Sequence, residues 1–162
     1  MAGAIMRTPL TLSSRRYWSA IPLRLVVGYG FIAHGVAKLM NGPEHFATSL
    51  HALGVPWPHV MAWITIASEL GGGAAVLLGA YLPVVSVPLA AILLVAAITV
   101  HLPYGFTSIK LRSVTAAGPQ FGPPGYETNL LYLAALATLV LGGPGPWAVD
   151  AIRRDRATRV QH

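Results

Sequence analysis

The sequence predicts an all-α integral membrane protein: a bundle of four transmembrane helices, with the N- and C-termini cytoplasmic. Three observations predict it. Of 162 residues, 54% are hydrophobic and only 10% are charged, whereas a soluble domain carries about 25% charged residues. So few charges could not cover a chain of this size in water, but lipid-facing Leu, Val and Ala need no covering. Apolar stretches recur at the length, about 20 residues, that crosses about 30 Å of hydrocarbon at helical rise. Basic residues collect in the tails: Arg7, Arg15 and Arg16 at one end, Arg153, Arg154, Arg156 and Arg159 at the other. That placement follows the positive-inside rule. It also argues against the nucleic-acid partner that a net charge of +6 would otherwise suggest.

Residues 1–17 read as a basic cytoplasmic tail, 18–150 as the membrane domain and 151–162 as a second basic tail. The first span is predicted over Trp18–Leu39. Arg15 and Arg16 ahead of an apolar stretch imitate a signal peptide, but the stretch is too long and no small-x-small cleavage site follows it. Residues 41–59 carry an apolar stripe at Phe46, Leu50 and Leu53, with Pro43 suited to a first helical turn and Gly54 to a stop. A short helix lying in the interface is expected there. The second span is predicted over 60–79, a tight turn at Ala80-Tyr81-Leu82-Pro83, and the third span over 84–102. The fourth is harder, because its apolar run covers only Leu130–Leu141. It is predicted to begin at Glu127 and to continue to Trp147. Trp57, Trp63, Tyr104 and Tyr126 are placed for an aromatic belt on the outer face. Gly28 and Gly35 on span one, and the run Gly71, Ala75, Gly79 on span two, suit close helix contacts.

Ionisable groups inside hydrocarbon cost about 2.5–3.5 kcal/mol each at mid-span, so those present need a reason. Arg24, His34 and Lys38 lie on span one, Glu69 on span two, His101 at the end of span three, and Glu127 with Asn129 at the start of span four. At helical rise His34 lies roughly 24 Å from the inner edge and Glu69 roughly 14 Å below the outer one. His34, Glu69, His101 and Glu127 are therefore expected to converge in the outer half of the bundle, as a polar pocket or proton relay. Lys38, Arg24 and Asn129 are the expected substrate-binding groups. A structural role is the alternative for each: helix pairing for Glu69 and the histidines, snorkelling for Lys38, and lipid phosphate for Arg24.

The chain has no cysteine, which excludes disulfides, thiol redox chemistry and thiolate metal sites. No metal site is predicted, since no histidine pair has i, i+4 ligand spacing. Gly71-Gly72-Gly73 precedes no phosphate-loop lysine, and Ser68 has no histidine at triad spacing.

The order Arg24…Gly28…Phe31…His34-Gly35…Lys38, then Leu53-Gly54-Val55-Pro56, Glu69…Gly73…Gly79, and His101 followed by Gly105-Phe106 resembles the DoxX family of small bacterial membrane proteins. Gly125-Tyr126-Glu127…Leu130-Leu131 and Gly143-Pro144-Gly145…Asp150 resemble its last quarter. The likeness runs over about residues 20–150. It departs where the family's closing serine is replaced by Ala148, and where residues 107–124 form a Gly- and Pro-rich insertion.

The resemblance implies a four-span protein of the bacterial inner membrane. The family is named for a subunit linked to thiosulfate oxidation with quinone as acceptor, and other members are associated with thiol stress or detoxification. Three functions follow as expectations. One is a membrane subunit of a redox or detoxification system, binding quinone or a similar small molecule. The second is a non-enzymatic anchor or scaffold for a partner protein, and the third a small transporter. Besides the lipid bilayer, a soluble or membrane-bound redox partner and a second copy of the chain are the partners considered.

Overall fold

The computed structural model describes residues 12–153, with side chains from residue 18 onward. The tail arginines Arg7, Arg154, Arg156 and Arg159, and the side chains of Arg15 and Arg16, lie outside the described residues. The main α-helices of these residues are α1 over Leu12–Met40, α2 over Pro43–Ala52, α3 over Pro58–Leu78, α4 over Leu82–Ala96 and α5 over Glu127–Gly142. Among the described residues, three helical stretches are long and apolar enough to cross a membrane: Trp18–Met40, Pro58–Leu78 and Leu82–Tyr104. The third adds a π-helical turn, Ala97–His101, and a 3-10 turn, Leu102–Tyr104, to α4. The fourth apolar helix, α5, is shorter.

The four long helices form a ring in which α1 and α4 each pack against both α3 and α5. All four contacts are antiparallel, so one end of the bundle, the terminal end, carries the first and last described residues and the other the long connections. The shared core holds Val27, Phe31, Val76, Leu82, Leu89, Leu136 and Leu139. It is thin. Val26, Val84, Val87, Leu131 and Leu141 face outward on the same helices, a coat that lipid tolerates and water does not.

Glycine sets the α1–α3 crossing. A Cβ on Gly28 would lie 2.8 Å from the Gly73 carbonyl oxygen, and one on Gly73 would lie 2.8 Å from that of Gly28. Gly35 is seated against Leu70 and Glu69. Of the small residues expected on the second span, Gly71 instead faces open space. Three consecutive glycines offer every face of a helix, and the contact falls on Gly72 and Gly73, against Leu89 and Gly28 respectively.

The expected short helix is α2, with Pro43 in its first turn. Its Ala47 and Leu50 are buried with Ala62 of α3, and its Glu44 reaches His59 at 2.9 Å on an exposed flank. The turn after α3 follows from Gly79 in the left-handed region, φ 63°. The fourth helix ends at Gly142 rather than Trp147, because Gly143 turns to φ 88° and prolines follow at 144 and 146. The chain then folds back and becomes helical again at residue 149, where the Asp150 amide donates to the Gly79 carbonyl at 3.2 Å. The insertion is more ordered than a loop. It contains an antiparallel hairpin, β1 Leu111–Thr115 with β2 Gly118–Phe121, whose register shifts between Leu111 and Ser113.

Candidate functional site

The polar residues fall into three bonded groups. At the loop end of α1 and α3, the Lys38 Nζ donates to both carboxylate oxygens of Glu69, at 2.6 and 2.7 Å. Helix geometry explains the meeting: Gly35, one turn before Lys38, has no side chain to hold α3 away at Glu69. The two partners differ in access. Glu69's side chain is 4% exposed and that of Lys38 23%, so the acid is reached through the amine. The Phe46 ring of α2 lies 5.3 Å from Nζ, a cation–π distance.

His34, one turn before Lys38, is exposed. It follows Gly30 by one turn, and a Cβ on Gly30 would strike the Tyr132 hydroxyl of α5. His34 therefore lies on the flank of α1 turned toward α5, and it has no hydrogen-bond partner among the described residues.

The second group joins α4, the insertion and α5. His101 Nδ1 lies 3.0 Å from the Pro124 carbonyl oxygen. A carbonyl only accepts, so Nδ1 carries the hydrogen, and the neutral ring keeps Nε2 as its basic nitrogen. The Glu127 carboxylate accepts from the Ser108 amide at 2.9 Å, while the Ser108 hydroxyl bonds Gly125, and Thr128 bonds Ser108. Asn129 is buried and donates to the Leu93 carbonyl at 3.2 Å. That carbonyl lies one turn before the π turn Ala97–His101, a kind of turn frequent at functional sites.

The third group is at the terminal end. Arg24 is 7% exposed. Its guanidinium donates to the Leu77 carbonyl at 3.2 and 2.8 Å, to Pro144 at 2.9 Å and to Pro146 at 3.1 Å. Leu77 contributes one of the last carbonyls of α3, which have no helical donor. Arg24 thus ties the end of α3 to the segment after α5, and its N–H groups go to backbone rather than to lipid phosphate. Ala148, fully buried, packs against Gly79 beside it. Nearby, the Arg153 guanidinium bonds the Tyr81 hydroxyl and stacks 5.0 Å over its ring. That hydrogen bond, more than the neighbouring Asp150, holds the Arg153 pKa above its ordinary value.

Glu69 is buried with Lys38 as its partner, and among the described residues no hydrogen bond or ion pair joins any two of His34, Glu69, His101 and Glu127. Among the described residues no three His, Cys, Asp or Glu side chains gather as a metal site would require. Phe46 and Ser108 are the participants that sequence reasoning missed. Phe46 stood on the amphipathic stripe of α2 and could have been found there; Ser108 carried no signal.

A mostly helical shell of outward-facing apolar side chains around buried ionisable groups such as Glu69 and Arg24 defines a membrane protein. The chain belongs to the DoxX family, whose profile matches residues 19–102. An uncharacterized membrane protein of Mycobacterium tuberculosis is 31% identical over 147 residues, covering 86% of this chain and 84% of the relative. No solved structure matches this chain.

Proposed function

We propose that this protein spans the bacterial inner membrane four times, with both termini in the cytoplasm, as the membrane subunit of a redox or detoxification system. It binds a quinone or a similar small molecule beside Lys38 and Glu69. The fourth crossing is supported by α5 lying antiparallel between α1 and α4. Its 16 residues cover about 24 Å, and the extended chain from Gly143 continues toward the headgroups. The basic tails support the orientation.

The observation that carries the binding reading is the asymmetry of the buried pair. Lys38 places two N–H groups on Glu69 and has a third to offer. A quinone carbonyl accepts such a donor, and the Phe46 ring supplies an apolar face for the quinone ring. Glu69 behind the amine is the group for proton exchange, and His34, one turn away, flanks the approach. Titration of a short-chain quinone into the purified protein tests this. Saturable binding is expected for wild type, with affinity reduced at least tenfold in Lys38→Met and Glu69→Gln; wild type that shows no saturation ends the reading.

One observation favours the scaffold instead: Arg24, Asn129, Glu127 and His101 all bond groups of the chain itself. On that reading, any Glu69→Gln protein that folds keeps full cellular function.

A further inference from the structure

A cleft of about 370 Å³ opens between the start of α4 and the end of α5, at the terminal end. Its walls are apolar: Leu82 and Pro83 on one side, Leu139 and Val140 on the other. Asp150 and Arg153 stand in its lining. The cleft exists because α5 stops at Gly142 while α4 begins opposite it, and Gly142 and Gly143 place no side chain in the gap. Tyr81 precedes α4 in the left-handed region, φ 52°, a strained backbone for a residue with a Cβ. That geometry sets its ring beneath the Arg153 guanidinium.

We propose that this cleft is a binding site for a phospholipid with an anionic headgroup from the surrounding leaflet. The acyl chain lies along Leu139 and Val140, and the phosphate meets Arg153. Charge complementarity selects this occupant. Arg153 is pinned by stacking on Tyr81, yet its planar fork has N–H groups beyond the one on the hydroxyl to offer a phosphate. Basic groups between helices at a membrane surface hold acidic headgroups in this way. Asp150 in the same lining disfavours a bare multivalent anion. It suits a headgroup that carries hydroxyls beside its single phosphate charge, as phosphatidylglycerol does.

The test is lipid retention by the full-length protein in detergent, read by native mass spectrometry after equilibration with phosphatidylglycerol, phosphatidylcholine or free glycerol phosphate. Phosphatidylglycerol is expected to bind about fivefold more tightly than phosphatidylcholine, equivalent to about 1 kcal/mol, and glycerol phosphate to leave no adduct. Arg153→Gln should erase the preference between the two lipids. Val140→Trp, which fills the cleft from an exposed position, should remove the bound lipid while the protein stays folded, and it decides the matter should Arg153→Gln not fold. Equal retention of both lipids by wild type overturns the proposal. So does phosphatidylglycerol binding that neither substitution changes, or retention of glycerol phosphate alone.

Discussion

Lys38 on α1 and Glu69 on α3 form a bidentate ion pair, 2.6 and 2.7 Å from Nζ to the two carboxylate oxygens, with the acid nearly sealed from the surroundings. A pair held this way is strongly asymmetric in its energetics. Its net contribution to stability can be small, because both ions were desolvated to make it, but removing one partner strands the other.

Glu69→Gln and Lys38→Met are therefore each expected to destabilise the protein by about 3–5 kcal/mol. The double substitution should cost clearly less than the sum of the two. A double-mutant cycle on unfolding in mixed micelles measures the coupling; additive losses would mean the two side chains act independently.

Gly28→Ala and Gly73→Ala should each cost about 1–3 kcal/mol, the range of overpacking, since the added methyl meets backbone of the facing helix as well as the Leu77 or Ile32 side chain. Gly71→Ala, in open space on the same helix, should be neutral or mildly stabilising. Thermal midpoints of the three variants in one detergent make the comparison.

Arg24→Met should leave the Leu77, Pro144 and Pro146 carbonyls without their donor, at about 1–3 kcal/mol for each buried acceptor left unsatisfied. Arg24→Lys should restore only part of this, because a single ammonium does not reproduce the planar fork. Limited proteolysis after Gly142 reports whether the closing segment has detached; equal protection in wild type and Arg24→Met would deny the arginine this role.

Ser86 gives the opposite sign. Its hydroxyl is buried in α4 with no hydrogen-bond partner among the described residues, so Ser86→Ala should be neutral or stabilising by up to about 1 kcal/mol. A lower thermal midpoint would show that the hydroxyl has a partner.

The helices were legible because hydropathy and helix length act locally. Pro43 and Gly54 bracketed α2, and Pro83 and Gly79 marked the turn between α3 and α4. What one sequence does not encode is the rotational phase of one helix against the next. Glu69 is buried, and its partner lies one turn after His34: Lys38, which the sequence offered as a substrate-binding or a snorkelling residue. Gly71, Gly72 and Gly73 gave three equivalent choices of contact face, and only the position of α1 selected Gly73. Arg24 stood out in the sequence, but its partners did not: they are carbonyls, which every residue carries and no motif announces. The two prolines after Gly143 were the available hint, since they break α5 and leave acceptors facing the end of α3. The π turn before His101 had no signal at all.

The most direct measurement is the map of covalent labelling by a photoreactive quinone analogue on the protein in lipid nanodiscs. Labelling is expected to concentrate on residues 34–46 of α1 and α2 and around Glu69 of α3, and to be suppressed by excess unlabelled quinone. Labels spread evenly over the lipid-facing sides of α4 and α5, unaffected by competitor, would contradict a binding site at Lys38 and Glu69.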